Sequence, residues 1–177
     1  MQNKKKRTFF MVEAALIAAL YIVLCFAQEL ILPSSATGAI QVRIAEALSV
    51  LVCFTPAAIP GLAVGCFAVN LMTVGVIPTD LILGTLATLL ASLTGYYLRN
   101  VKLFKIPFPT LLMPVLFNAI IIGIEIELFY IEGDFTFTGF MIQGALVGLG
   151  ELIACVGLGI PLYLVLNKLN LFNKHNS

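Results

Sequence analysis

The chain is poor in charge: Lys, Arg, Asp and Glu make up 11% of its 177 residues, where a soluble domain carries about a quarter. Hydrophobic residues reach 60% and mean hydropathy is +1.06, which excludes a soluble monomer. The only histidine, His175, lies in a polar tail beyond the last apolar run. No Ser-His-Asp set can form around it, and it reads as solvated. There is no GxxxxGK[ST] phosphate loop, so any ATP-driven step must come from other subunits. Cys25, Cys53, Cys66 and Cys155 fall in separate apolar segments without CxxC spacing. Metal binding and a disulfide framework therefore lack support, and the four read as small core hydrophobes. The basic runs, Lys4 to Arg7 and the set Arg99, Lys102, Lys105, flank apolar segments as topology signals do. Neither enzymatic activity nor a nucleic-acid partner is expected.

What is abundant is apolar sequence. About 20 residues of helix cross a bilayer, so the chain has room for roughly six helices and for no soluble catalytic domain. Residues 1–177 read as a single integral membrane domain, an all-α membrane protein with six transmembrane helices. The expected spans are residues 9–32, 39–54, 57–76, 81–98, 110–130 and 137–166. Pro33, Ser34 and Ser35 break the pattern after the first, which runs too long for a signal peptide and reads as a retained helix. Asp80 reads as an N-cap, and Pro161 as a kink near the end of the sixth span.

Six spans put both termini on one side, and the positive-inside rule makes that side cytoplasmic. Nine of the ten basic residues then lie inside, leaving Arg43 alone outside. Seven acidic residues, Glu29, Glu46, Asp80, Glu125, Glu127, Glu132 and Asp134, fall in the outer half, with Glu151 near mid-membrane and Glu13 inside.

An ionisable group within a membrane costs roughly 2.5 to 3.5 kcal/mol on insertion scales, which makes each one a functional candidate. Arg43 and Glu46 are three apart on one expected helix, close enough to pair, with Gln41 nearby. Asn118 and Glu125 are seven apart, two turns along one face. Gln143 and Glu151 share a side of the sixth span among glycines that permit close approach, and the third span adds Asn70. The simplest arrangement converges Arg43, Glu46, Asn70, Asn118, Glu125, Gln143 and Glu151 on one outward-opening pocket. Carboxylates and amides accept from N–H groups, and Arg43 spends its charge on Glu46, so such a pocket suits a flat, donor-rich, neutral or cationic ligand. Phe67, Phe129, Tyr130, Phe135 and Phe137 stand near the outer end, where they either cover a planar ring or anchor at the lipid interface. In the first span, Ala14, Ala15, Ala18 and Ala19 form two overlapping small-xxx-small pairs that let another helix pack closely.

The alanine pairs, the stretch Gln41-Val42-Arg43-Ile44-Ala45-Glu46-Ala47-Leu48 and the stretch Pro56-Ala57-Ala58-Ile59-Pro60-Gly61-Leu62 together resemble the QueT family. That family comprises queuosine-precursor transporters, substrate-binding S-components of energy-coupling factor (ECF) importers. The similarity runs through Asn118, Glu125 and Gly150-Glu151-Leu152. It implies an S-component in a bacterial cell membrane that captures a deazaguanine base such as queuine. The implied partners are a transmembrane coupling subunit, docked on Ala14, Ala15, Ala18 and Ala19, and two ATPases that use ATP; no cofactor is implied in this chain. Glu151 or Glu125 is expected to accept the ring N–H and exocyclic amine of the base. Three alternatives stand beside this: an S-component for another planar, amine-bearing molecule, a stand-alone secondary carrier with Glu151 as its coupling carboxylate, and a non-transporting membrane assembly subunit.

Overall fold

The computed structural model describes residues 2–33, 35, 40–73 and 78–169. They form α1 (Gln2–Ile31), a 3-10 helix (Ile44–Cys53), α2 (Ala58–Met72), α3 (Pro78–Leu98), α4 (Phe108–Phe129) and α5 (Phe137–Glu151). A π-helical segment (Leu152–Leu158) then leads without a break into α6 (Gly159–Leu169). Among the described residues there is no strand beyond one isolated bridge, Leu103 with Ile106.

Four helical stretches are long and apolar enough to cross a membrane: Lys4–Ile31, Pro78–Leu98, Phe108–Phe129 and Phe137–Leu169. Against the six spans expected from sequence, four stretches have the length, and two shorter apolar helices, Ile44–Cys53 and Ala58–Met72, stand beside them. The expected starts and ends of the short helices at Ala39 and Val76 lie outside the described residues, as do Lys174 and His175. The second segment also differs in kind. It winds as a 3-10 helix only from Ile44, and at about 2.0 Å per residue its ten residues reach about 20 Å. The irregularity in the last long stretch is a π segment placed just before Pro161, at a turn where glycines 157 and 159 already loosen the ladder.

Small residues set the packing. A Cβ on Gly61 would meet Ala14 O at 2.8 Å, and one on Gly65 would meet Tyr21 Cβ at 2.8 Å and Ala18 O at 3.2 Å, so α1 and α2 run parallel in close contact. Gly123 faces Gly144, and Gly144 faces Ala119, bringing α4 and α5 together antiparallel. Between membrane helices, close approach of backbones supplies the van der Waals attraction that the hydrophobic effect supplies in water. Two parallel neighbours need a return segment, and Ile44–Cys53 provides it. It runs through the middle of the bundle with every residue from Ala45 to Val52 buried, packed on Ile17, Tyr21, Leu62 and Cys66. The periphery is apolar instead: Leu16, Leu20, Val23 and Leu30 of α1 are exposed, as are Leu128 of α4 and Leu149 of α5. A protein with polar groups at its centre and leucines on its outside is built for a lipid surround.

Candidate functional site

The site starts from a short extended strap, residues 41–43, that enters the 3-10 helix. Arg43 has φ −107° and ψ 97°, so it precedes the helix and does not share a helical face with Glu46. Two features hold the strap. The side chain of Gln28 on α1 donates to Val42 O and to Ser35 Oγ (2.8 Å), and its Oε1 accepts from Ile44 N at 2.8 Å. On the other side Gly150 of α5 lies flat against Gln41, where any Cβ would overlap the Gln41 carbonyl. Gln28 thereby does for the strap what a neighbouring strand would do, pairing backbone groups that have no helical partner. Gln28→Leu leaves two of them unpaired, and the expected cost is about 2–4 kcal/mol, read as a lower thermal midpoint of the detergent-purified protein. A change under about 0.5 kcal/mol would mean that water takes over both groups.

Beyond the strap the first turn of the 3-10 helix brings Glu46 into the bundle, where it is 1% exposed. Its Oε1 accepts from Tyr21 Oη at 2.6 Å and from Thr88 Oγ1 at 3.4 Å. Opposite it, at the end of α5, Glu151 is equally buried; its Oε1 accepts from Asn118 Nδ2 at 2.9 Å. Cys155 lies between the two acids, its Sγ 3.6 Å from Glu151 Oε2 and 3.5 Å from the Glu46 carbonyl. Arg43 is the cation of this centre. Its charge acts on Glu46, on Glu151 and, more remotely, on Glu125. Glu46 takes its hydrogen bonds from Tyr21 and Thr88, and the Arg43 charge is felt at Glu151 as well as at Glu46. With all four ionised, one positive charge stands against three negative ones.

A second polar level lies two turns along α4. Glu125 is 1% exposed, and neither carboxylate oxygen has a hydrogen-bond partner. Its electrostatic neighbours are Asp80 and Thr79 in the first turn of α3. Asp80 is not the N-cap the sequence suggested; it stands inside the helix, where its carboxylate accepts from Tyr130 Oη and its carbonyl accepts from Asn70 Nδ2 at 2.9 Å. Asn70 thus ties α2 to α3 and reaches the outer level only through Asp80. Glu127, one turn from the helix end, holds the start of α5: its Oε1 accepts from Thr136 N at 3.2 Å and Thr136 Oγ1 at 2.6 Å.

The structure brings Arg43, Glu46, Asn118 and Glu151 together, with Glu125 above them. Gln143 is half-buried beside the buried line Gly144, Val147, Gly148 and Glu151, and no hydrogen bond links it to the cluster among the described residues. Phe67, Phe129, Tyr130, Phe135 and Phe137 are 43–70% exposed, which fits interface anchors and not the cover of a buried ring. The alanine stripe divides. Ala14 and Ala18 are used within the chain against Gly61 and Gly65, whereas Ala15 and Ala19 face outward. Gln28, Tyr21, Thr88 and Cys155 were not foreseen; each is a lone, mildly polar residue in an apolar run, and only Gln28, an amide amid hydrophobics, carried a signal that could have been read.

Such a centre is rich in acceptors, closed to solvent and placed among helices with apolar outer faces. Neither a curated protein nor a solved structure matches the chain. A family model described as QueT transporter does, across residues 11–168. The match takes in the strap, both levels of carboxylates and every long helix, and on that extent the chain belongs to the QueT transporter family.

Proposed function

We propose that the chain is the substrate-binding S-component of an ECF importer in a bacterial cell membrane. It captures deazaguanine bases, queuine or its precursors, from outside, and a coupling membrane subunit with two ATPases drives their uptake. The observation that carries this reading is the buried surplus of acceptors. Asn118 Oδ1 and both oxygens of Glu125 lack donors, beside Glu151 and under a single cation. A buried acceptor without a donor costs about 1–3 kcal/mol, and a guanine-like edge, with its ring N–H and exocyclic amine, supplies donors in one plane to the level of Asn118 and Glu151. An anionic vitamin has the opposite chemistry and meets the carboxylates of Glu46, Glu125 and Glu151.

The same reading gives the chain six passes with both termini in the cytoplasm. Because α1 and α2 are parallel, the Ile44–Cys53 segment must return between them, and the remaining helices alternate. Lys4 to Arg7, the 99–105 connection and Lys168 then fall at one end, and Asp80, Glu125, Glu127, Glu132 and Asp134 at the other. That division matches the positive-inside rule.

The test is thermal stabilisation of the detergent-purified chain alone by queuine, aminomethyl-deazaguanine, cyano-deazaguanine, guanine, riboflavin and thiamine. A ligand of the folded state stabilises it by about 2.7 kcal/mol at a hundredfold excess over Kd. Shifts with deazaguanines alone are expected; a response to thiamine or riboflavin only would replace the cargo. For the partner, Ala15→Trp with Ala19→Trp is expected to abolish co-purification with the coupling subunit while leaving ligand-induced stabilisation intact. Retained co-purification would move the docking surface off this face of α1.

A further inference from the structure

The two levels of acceptors differ in how much of their chemistry is already used. At the inner level Glu151 is held by Asn118 and Cys155 and shares Arg43 with Glu46. At the outer level Glu125 is as inaccessible to solvent, and neither of its oxygens receives a hydrogen bond of good geometry, with Thr79 and Asp80 as its polar neighbours. Two carboxylates side by side in a medium of low polarity repel, and a cation between them removes that cost. The charge of Arg43 reaches Glu125, and Glu46 and Glu151 draw on it as well. A cation bound beside Glu125 would relieve that repulsion.

Resting on the function proposed above, we infer that Glu125, with Thr79 beside it, is a subsite for a protonated amine on the ligand, while Asn118 and Glu151 take the flat edge of its base. Seven residues at about 1.5 Å rise put Glu125 roughly 10 Å along α4 from Asn118, so the two levels meet different parts of one ligand. Charge-assisted contacts of an ammonium with a carboxylate are stronger than those between neutral groups, so the amine sets selectivity as well as orientation. Glu125 is on this account a specificity-determining residue: ligands bearing a cationic arm are preferred over the same base with a neutral one.

The experiment compares aminomethyl-deazaguanine with cyano-deazaguanine, which share the base edge and differ in arm charge, by calorimetric binding to the purified full chain. The wild-type protein is expected to prefer the amine by about tenfold or more. Glu125→Gln is expected to weaken amine binding by about tenfold or more while changing cyano binding less than about threefold, and Glu125→Asp, which keeps the charge, to restore part of the preference. Wild-type protein that binds the cyano base as tightly as the amine overturns the subsite without any variant, and leaves the deazaguanine reading standing. Equal losses for both ligands in Glu125→Gln also overturn it, placing Glu125 at the base edge. If wild-type protein binds neither base, the functional reading falls and the subsite with it.

Discussion

Arg43→Met is expected to lower the thermal midpoint of the ligand-free protein by about 10 °C. Arg43 is a cation whose charge acts on Glu46, Glu125 and Glu151. Methionine fills a similar volume, so the loss is one of charge and not of packing. Removing one partner from a buried ionic cluster strands the others, at a cost of about 3–5 kcal/mol, and each kcal/mol moves the midpoint of a chain this size by about 2–4 °C. Neutralising one of the stranded acids should return part of the loss. Glu46→Gln is the informative second change, because its amide oxygen still accepts from Tyr21 Oη, which sits 2.6 Å away in the native protein. A double variant more stable than Arg43→Met alone supports the shared-cation account. Strictly additive losses would mean that Arg43 acts through packing of the strap.

Glu151→Gln carries the largest expected effect on ligand binding, a loss of about 30- to 150-fold for every deazaguanine. The inner level is the part of the site where the ligand's own N–H groups need acceptors on the protein. Glutamine keeps one acceptor, enough to receive Asn118 Nδ2, which donates to Glu151 Oε1 at 2.9 Å, so the bundle remains folded. The second oxygen becomes an NH2 group that meets the ligand's donors with a donor. Losing a charged acceptor costs about 2–3 kcal/mol, and each 1.4 kcal/mol is a factor of ten in Kd. Calorimetry on the folded variant checks this, with Asn118→Asp as a companion that restores acceptor character from the facing helix. Affinity unchanged in Glu151→Gln would place the base elsewhere along α4.

Helix-forming stretches, their order and the apolar exterior were legible in the sequence because a bilayer constrains composition directly: about 20 apolar residues must follow one another wherever a helix crosses. The shared face of Asn118 and Glu125 was legible for a similar reason, since a spacing of seven is two turns in any helix. Arg43 shows where this reasoning stops. Three positions from Glu46, it reads as a helical ion pair only while both residues are taken as helical, and the strap removes that premise. The alanine stripe shows the same limit, because a small residue suits contact with a helix of this chain as well as with a partner. Here Gly61 and Gly65 claimed Ala14 and Ala18.

The sequence by itself determined that this is a membrane-embedded helical protein with a few isolated ionisable residues in its apolar segments, because hydropathy and the cost of buried charge act residue by residue. Tertiary structure alone decided which of those residues meet. The 3-10 segment threads the middle of the bundle because Gln28 and Gly150 fix the strap before it, and this carries Glu46 to within reach of Tyr21, Cys155 and Thr88. Contacts between residues 25, 33, 42 and 109 positions apart depend on how helices cross, and no local pattern in the chain encodes a crossing.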